Sequence, residues 1–254
     1  MNLPDGVDPA ALATVLAIFF GGGIVKGGLG FGLPLATMSM LPLVIPVDMA
    51  LAINVIVQPA TNLGQLIAAE NPAATMRRFA PVCLTMAVGV AIGTAFVTGL
   101  DPESLTLLLG VFVTAFCLIS LRGVSLPIPP RRERPAGLAV GLLAGAIGAL
   151  TTASGPILVI YLLGLGVDRR EFRAAIGFLF IVSGAMIVGG FWSVGFLDWS
   201  RAGLALLCMV PTFLGMAIGN RLARRLPPEG FRTAVLIGLS CLGANFLMRG
   251  LGVL

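Results

Sequence analysis

Two stretches decide the class of fold. GLAVGLLAGAIGAL at 137–150 and LLLGVFVTAFCLISL at 107–121 are apolar on every side, with no face suited to water. A soluble chain of this length would need a polar face on nearly every helix. Similar runs recur from end to end, broken only by short polar connections, and the chain is 57% hydrophobic against 11% charged. That pattern predicts an all-α, polytopic integral membrane protein whose obligate partner is the lipid bilayer. The opening residues, MNLPDGVDPA, hold Asp5 and Asp8 and no basic side chain, so they lack the positive region of a cleavable signal. The first apolar segment is therefore expected to stay.

The net charge of +5 does not point to nucleic acid, because the arginines fall in short connections between apolar segments, where they report orientation in the bilayer. Cys83, Cys117, Cys208 and Cys241 stand singly in apolar surroundings, without CxxC spacing and in a chain that has no histidine. They read as small packing residues, and neither a metal nor another cofactor is expected.

The chain is also internally duplicated. GVAIGTAFVTGLDPE, starting at Gly89, matches GMAIGNRLARRLPPE, starting at Gly215, so that Gly89, Gly93, Leu100, Pro102 and Glu103 recur as Gly215, Gly219, Leu226, Pro228 and Glu229. Earlier in each half a Gly-rich turn runs into proline and a short apolar stretch, GGLGFGLPLATMSML and ALTTASGPILVIYLL, which pairs Pro34 with Pro156. The expected organisation is a first repeat at 1–121, a Pro/Arg-rich linker at 122–135 and a second repeat at 136–254. Ten apolar segments follow: 10–25, 28–46, 49–70, 79–99 and 104–121, then 136–149, 155–166, 172–196, 201–222 and 230–250. The first two of each half read as short. From either proline a helix rising about 1.5 Å per residue reaches only about halfway through a hydrocarbon core about 30 Å thick.

Arginine placement favours a hairpin for each short pair. With that arrangement the connections at 71–78, 122–135, 167–173 and 221–232 share one face, which then holds thirteen of the fifteen arginines. The positive-inside rule makes that face cytoplasmic and puts both termini outside, as in a multi-pass protein of a cell membrane, a prokaryotic inner membrane. A hairpin plus three spans per half gives odd crossing parity, hence two inverted-topology repeats, the arrangement of secondary transporters. The hairpin tips are then the expected binding elements.

Glycine allows a tight turn and proline suits the first turn of a helix, so Pro34 and Pro156 mark helix starts whose free N–H groups favour an anion. The residues expected to bind it are Lys26, Gly28, Gly30, Phe31 and Gly32 on one tip and Thr151, Thr152, Ser154 and Gly155 on the other. Lys26 is the one lysine of the chain. A charge at mid-membrane costs about 2.5–3.5 kcal/mol and normally lines a polar cavity, although a shallower lysine would snorkel to the interface.

A polar stripe on the next segment, Asn54, Gln58, Thr61, Asn62 and Gln65, falls within about a 100° arc of a helix. Its repeat mates Gly177, Ile181, Gly184, Ala185 and Val188 are not polar in the same way. The stripe reads either as amide donors lining a path for an oxyanion, with Asn54, Gln58 and Asn62 as binding residues, or as hydrogen-bonded glue between helices. Pro59 interrupts the ladder there. Trp192 and Trp199 read as interfacial anchors.

VKGGLGFGLPL and GLLAGAIGALTTASGPILVIYLL, taken with the two-half layout, resemble the sulfite exporter TauE/SafE family along essentially the whole chain. The resemblance implies transport of a small anion of the sulfite, sulfonate or sulfoacetate class. The residues leave an anion channel open, and an intramembrane hydrolase built on Ser154 with Lys26 as base, although an enzyme is not the expectation. They also leave a homodimer, the coupling ion and the direction of transport open. No Asp or Glu lies in the middle of a segment.

Overall fold

The computed structural model describes residues 8–67, 72–121, 127–223 and 248. Among them the chain is all α: α1 Pro9–Leu29, α2 Leu33–Met38, α3 Val47–Ile67, α4 Pro72–Val97, α5 Pro102–Leu121, α6 Glu133–Thr151, α7 Gly155–Gly164, α8 Arg169–Ser193 and α9 Trp199–Ala223. Among the described residues five stretches are long and apolar enough to cross a membrane: Pro9–Leu29, Pro72–Val97, Pro130–Thr151, Arg170–Ser193 and Trp199–Ala223. The tenth expected segment, 230–250, lies outside the described residues except for position 248, as do Cys241 and the side chains of Cys117 and Gln65.

Helix starts follow from local chemistry. Asp8, Asp101, Asp168 and Asp198 each accept a backbone N–H of the turn that follows, at 2.6–2.8 Å. Those donors hold the exposed carboxyls of Asp101 and Asp168 below the usual carboxylate range. These four acids at segment ends are caps.

Three boundaries differ from those expected. The first segment does not stop at 25: α1 runs to Leu29, and its 21 residues cover about 31 Å, enough for a full span. Its glycines do not break it because they are packed, as shown below. In the second half α6 starts at Glu133, inside the expected linker. The short pairs are thus one long and one short helix. Third, α4 begins at Pro72, so the expected connection at 71–78 is mostly helix. The Arg78 guanidinium is satisfied there by Glu133 at 2.6 and 3.0 Å and by Glu171.

By packing, the chain forms two compact units, one of Met1–Val57, Leu100–Val124 and Leu197–Leu254, the other of Gln58–Gly99 and Ser125–Phe196. Neither unit is one of the sequence halves. In the first, α1 packs on α9: a Cβ at Gly23 or Gly27 would land on the Thr212 or Met216 carbonyl, and one at Gly215 or Gly219 on that of Phe20 or Ile24. In the second, α4 packs on α6 in the same way, with Gly89 and Gly93 against the Leu142 and Ala146 carbonyls and Gly141 and Gly145 against those of Val82 and Met86. This is backbone-to-backbone packing by small residues, as expected where lipid gives no hydrophobic drive between helices. Large apolar side chains face outward instead, among them Leu84, Phe96, Val210 and Leu214, each more than half exposed. A surface of that kind belongs in lipid. Each unit is also tied by an ion pair at a helix start, Arg201 to Asp48 at 2.8 Å in the first and Arg78 to Glu133 and Glu171 in the second.

Candidate functional site

In the first unit, α1 ends where Gly30 turns left-handed at φ 83° and its N–H bonds the Lys26 carbonyl at 2.7 Å. Lys26 is thus helical, on the last turn of α1, and 2% exposed, whereas the sequence reading put it at the mouth of a turn. Gly28 is helical too, its backbone N lying beside the Cβ position of Gly219, so it serves the α1–α9 crossing. The turn itself is Gly30, Phe31 and Gly32, with Gly32 at φ 92°.

Pro34 sits in the first turn of α2 as expected, but α2 has only six residues. Pro42 stops it: the ring clashes with a helical carbonyl four residues back and biases Leu41 away from helix. A single 3-10 turn at Leu41–Leu43 follows. So short a helix sums too few peptide dipoles to draw an anion, and the expected helix-end site at Pro34 is withdrawn. What α2 offers instead is Thr37, whose hydroxyl donates to the Leu33 carbonyl at 2.8 Å and accepts from Asn54 Nδ2 at 2.5 Å.

In the second unit, α7 starts at Gly155 with Pro156 in its first turn and runs ten residues. The turn before it is fully buried. Thr151 donates to the Ile147 carbonyl at 2.7 Å and accepts from Ala153 N–H at 3.2 Å, while Thr152, left-handed at φ 55°, donates to the Thr151 carbonyl at 2.8 Å. Both threonine hydroxyls thus bond to their own local backbone and hold the turn. Ser154 makes no side-chain cap to α7, and its Oγ lies 3.0 Å from Ser183 Oγ. One hydroxyl of that pair donates to the other, so one proton stays available beside the uncapped first turn of α7. A Cβ at Gly148 would meet the Ser154 side chain at 3.1 Å, so that glycine makes room for the serine.

The stripe on α3 is buried throughout, Asn54, Gln58, Thr61 and Asn62 being at most 3% exposed. Asn62 Nδ2 and Thr61 Oγ1 both donate to the Gln58 carbonyl at 2.7 Å. Asn54 donates to Thr37, which is the helix-to-helix bond of the glue reading. The buried stripe atoms that lack partners are amide oxygens, Asn54 Oδ1 and Gln58 Oε1. Donors for an oxyanion are thus not what the stripe holds in excess. Beside Gln58, the ring of Pro59 occupies the space a Cβ at Gly184 would need, at 2.9 Å, which sets the residue next to Gln58 against the one next to Ser183.

Sequence reasoning missed Thr37 and Ser183. Thr37 stood three residues after a marked proline, one helical turn on, and Ser183 is a lone hydroxyl in the apolar run FLFIVSGAMIV. Both signals were present but weak.

The family described as Sulfite exporter TauE/SafE matches over residues 15–246. A curated protein of Comamonas testosteroni, "Probable inner membrane transporter protein TsaS", is 27% identical over 163 residues, 63% of this chain and 67% of its own length. No solved structure matches.

Proposed function

Because the chain belongs to the sulfite exporter TauE/SafE family, we propose that this membrane transporter is a secondary carrier of a small sulfur-containing anion of the sulfite, sulfonate or sulfoacetate class. The observation that carries the reading is Lys26, the one lysine of the chain, 2% exposed at the end of a helix long enough to cross the membrane. A buried ammonium in such a helix is stabilised by an anionic ligand. The neighbouring Gly30–Phe31–Gly32 turn has two left-handed glycines, whose lack of a side chain lets an oxyanion approach the backbone. Taken by itself, the second unit holds an uncapped start of α7 with its serine pair, where helix N–H groups and a hydroxyl proton favour negative charge. The C. testosteroni relative, by its name an inner membrane transporter, supports the same reading. The arginine-rich ends face the cytoplasm in this proposal.

Thermal unfolding of the purified protein in detergent, titrated with sulfite, methanesulfonate and sulfoacetate, tests it. Lys26→Gln keeps some hydrogen bonding without charge and is expected to weaken the stabilising anion about tenfold to a hundredfold, the worth of a charge-assisted bond. Ser154→Ala tests the second unit's group by itself and is expected to weaken anion-dependent stabilisation about fivefold. Equal apparent affinities in wild type and Lys26→Gln would refute the assignment.

A further inference from the structure

Three of the long apolar helices begin at one place in the second unit. Arg78, near the start of α4, bonds Glu133 at the start of α6 at 2.6 and 3.0 Å, and Glu171 in the first turn of α8. The chain around that knot is strongly basic. Residues 72–78 hold two arginines, 127–134 three and 168–173 three, against Glu133, Asp168 and Glu171. Those acids are already engaged, Glu133 and Glu171 by Arg78, and Asp168 by the backbone N–H groups of Arg170 and Glu171 at 2.8 Å. The exposed Arg77, Arg132 and Arg134, each next in the chain to a member of the knot, find no acid of their own in it.

Apolar surface lies beneath this basic end. At 100° per residue Arg77, Leu84 and Val88 fall within about 20° of one line along α4. Leu84 and Val88 are 71% and 53% exposed, so Arg77 stands at the rim of a bare apolar stripe that runs into the membrane. On α8 the same spacing gives the opposite result. Phe180 and Gly184, which follow Arg173 as Leu84 and Val88 follow Arg77, are both buried.

A guanidinium donates two parallel N–H bonds to a phosphate, and basic side chains at a membrane surface attract anionic headgroups. A soluble acidic partner would meet the charge and leave the stripe bare, whereas a phospholipid meets both. We infer that this end of the second unit docks an anionic phospholipid, its phosphate held by Arg77 in the field of the arginines flanking Glu133 and its acyl chain along Leu84 and Val88. The docking site stands on this unit alone. It is independent of what the chain transports and of which leaflet the arginines face.

The test follows thermal unfolding of the purified full chain in detergent as lipid is added. Phosphatidylglycerol is titrated against phosphatidylcholine of the same acyl chains, with glycerol phosphate as a headgroup without a tail. Saturable stabilisation by phosphatidylglycerol is expected, well beyond that from either of the others. Arg77→Gln should weaken the apparent affinity for phosphatidylglycerol about fivefold or more, the worth of one basic side chain at an anionic lipid surface, and Arg77→Lys should keep most of it. Arg173→Gln removes the same charge where no bare stripe lies beneath, and should leave the affinity within about twofold. Equal stabilisation by the two lipids overturns the site. A loss in Arg173→Gln as large as in Arg77→Gln also overturns it, since the attraction would then be a diffuse property of the basic end. Full stabilisation by glycerol phosphate does so too, because the ligand would then be a free phosphate.

Discussion

The bond between Thr37 and Asn54 shows how much one hydroxyl can decide. Donating to the Leu33 carbonyl and accepting from the amide, it fixes which atom of Asn54 is paired and which is not. Thr37→Val keeps the shape and strands the amide N–H in a dry setting, so the protein should lose about 1–3 kcal/mol of stability in detergent. Thr37→Val with Asn54→Leu, removing both partners, should recover most of that loss, since two matched apolar groups leave nothing unpaired. Losses that simply add in the double variant would show that the bond is not made. At this scale the sequence was legible for types and not for states. It singled out Lys26, Asn54, Gln58 and Ser154, all of them buried. It could not say that the hydroxyl protons of Thr151 and Thr152 are taken by their own backbone, or that the stripe's unmet atoms are acceptors, because both depend on torsions that spacing does not encode.

Among the elements, glycine decides where helices lie. Gly23, Gly27, Gly215 and Gly219 sit where a Cβ would strike a backbone carbonyl of the facing helix, and Gly21, on the same α1, meets nothing within 4 Å. Two substitutions on one pair of helices should therefore differ in sign. Gly21→Ala should be neutral or stabilise by up to about 1 kcal/mol through helix propensity. Gly215→Ala must push α1 and α9 apart or bend them, at about 1–3 kcal/mol or more. Unfolding temperatures in one detergent would compare them, and equal effects would mean that the crossing is not close. The same glycines misled the reading of boundaries: a Gly-rich GGGIVKGG looks like the end of a helix by propensity, yet tertiary contact carries α1 through to Leu29. Pro42, by contrast, acts locally and could have been used to shorten α2.

For the whole molecule, the repeated GxxxG of the sequence finds its meaning in packing. Gly89 and Gly93 meet carbonyls four residues apart on α6, Leu142 and Ala146, while Gly215 and Gly219 meet carbonyls four apart on α1, Phe20 and Ile24. Each compact unit thus joins a helix from the first half of the chain to one from the second. Self-similarity in a sequence reports which segments are alike and says nothing of which copies pack, so the units were not legible while the apolar segments were. Membership of the TauE/SafE family makes the chain a membrane transporter, and the large apolar side chains exposed on its described helices suit lipid. The central claim is that what it carries is a small sulfur-containing anion. The most direct measurement is uptake of labelled sulfite, a sulfonate and a carboxylate of similar size into proteoliposomes containing the purified protein, beside Lys26→Gln. Saturable uptake of sulfite or the sulfonate, lost or at least tenfold weaker in Lys26→Gln, is the predicted result. Uptake no faster than in protein-free liposomes for both sulfur anions, or uptake unaltered by Lys26→Gln, would contradict it.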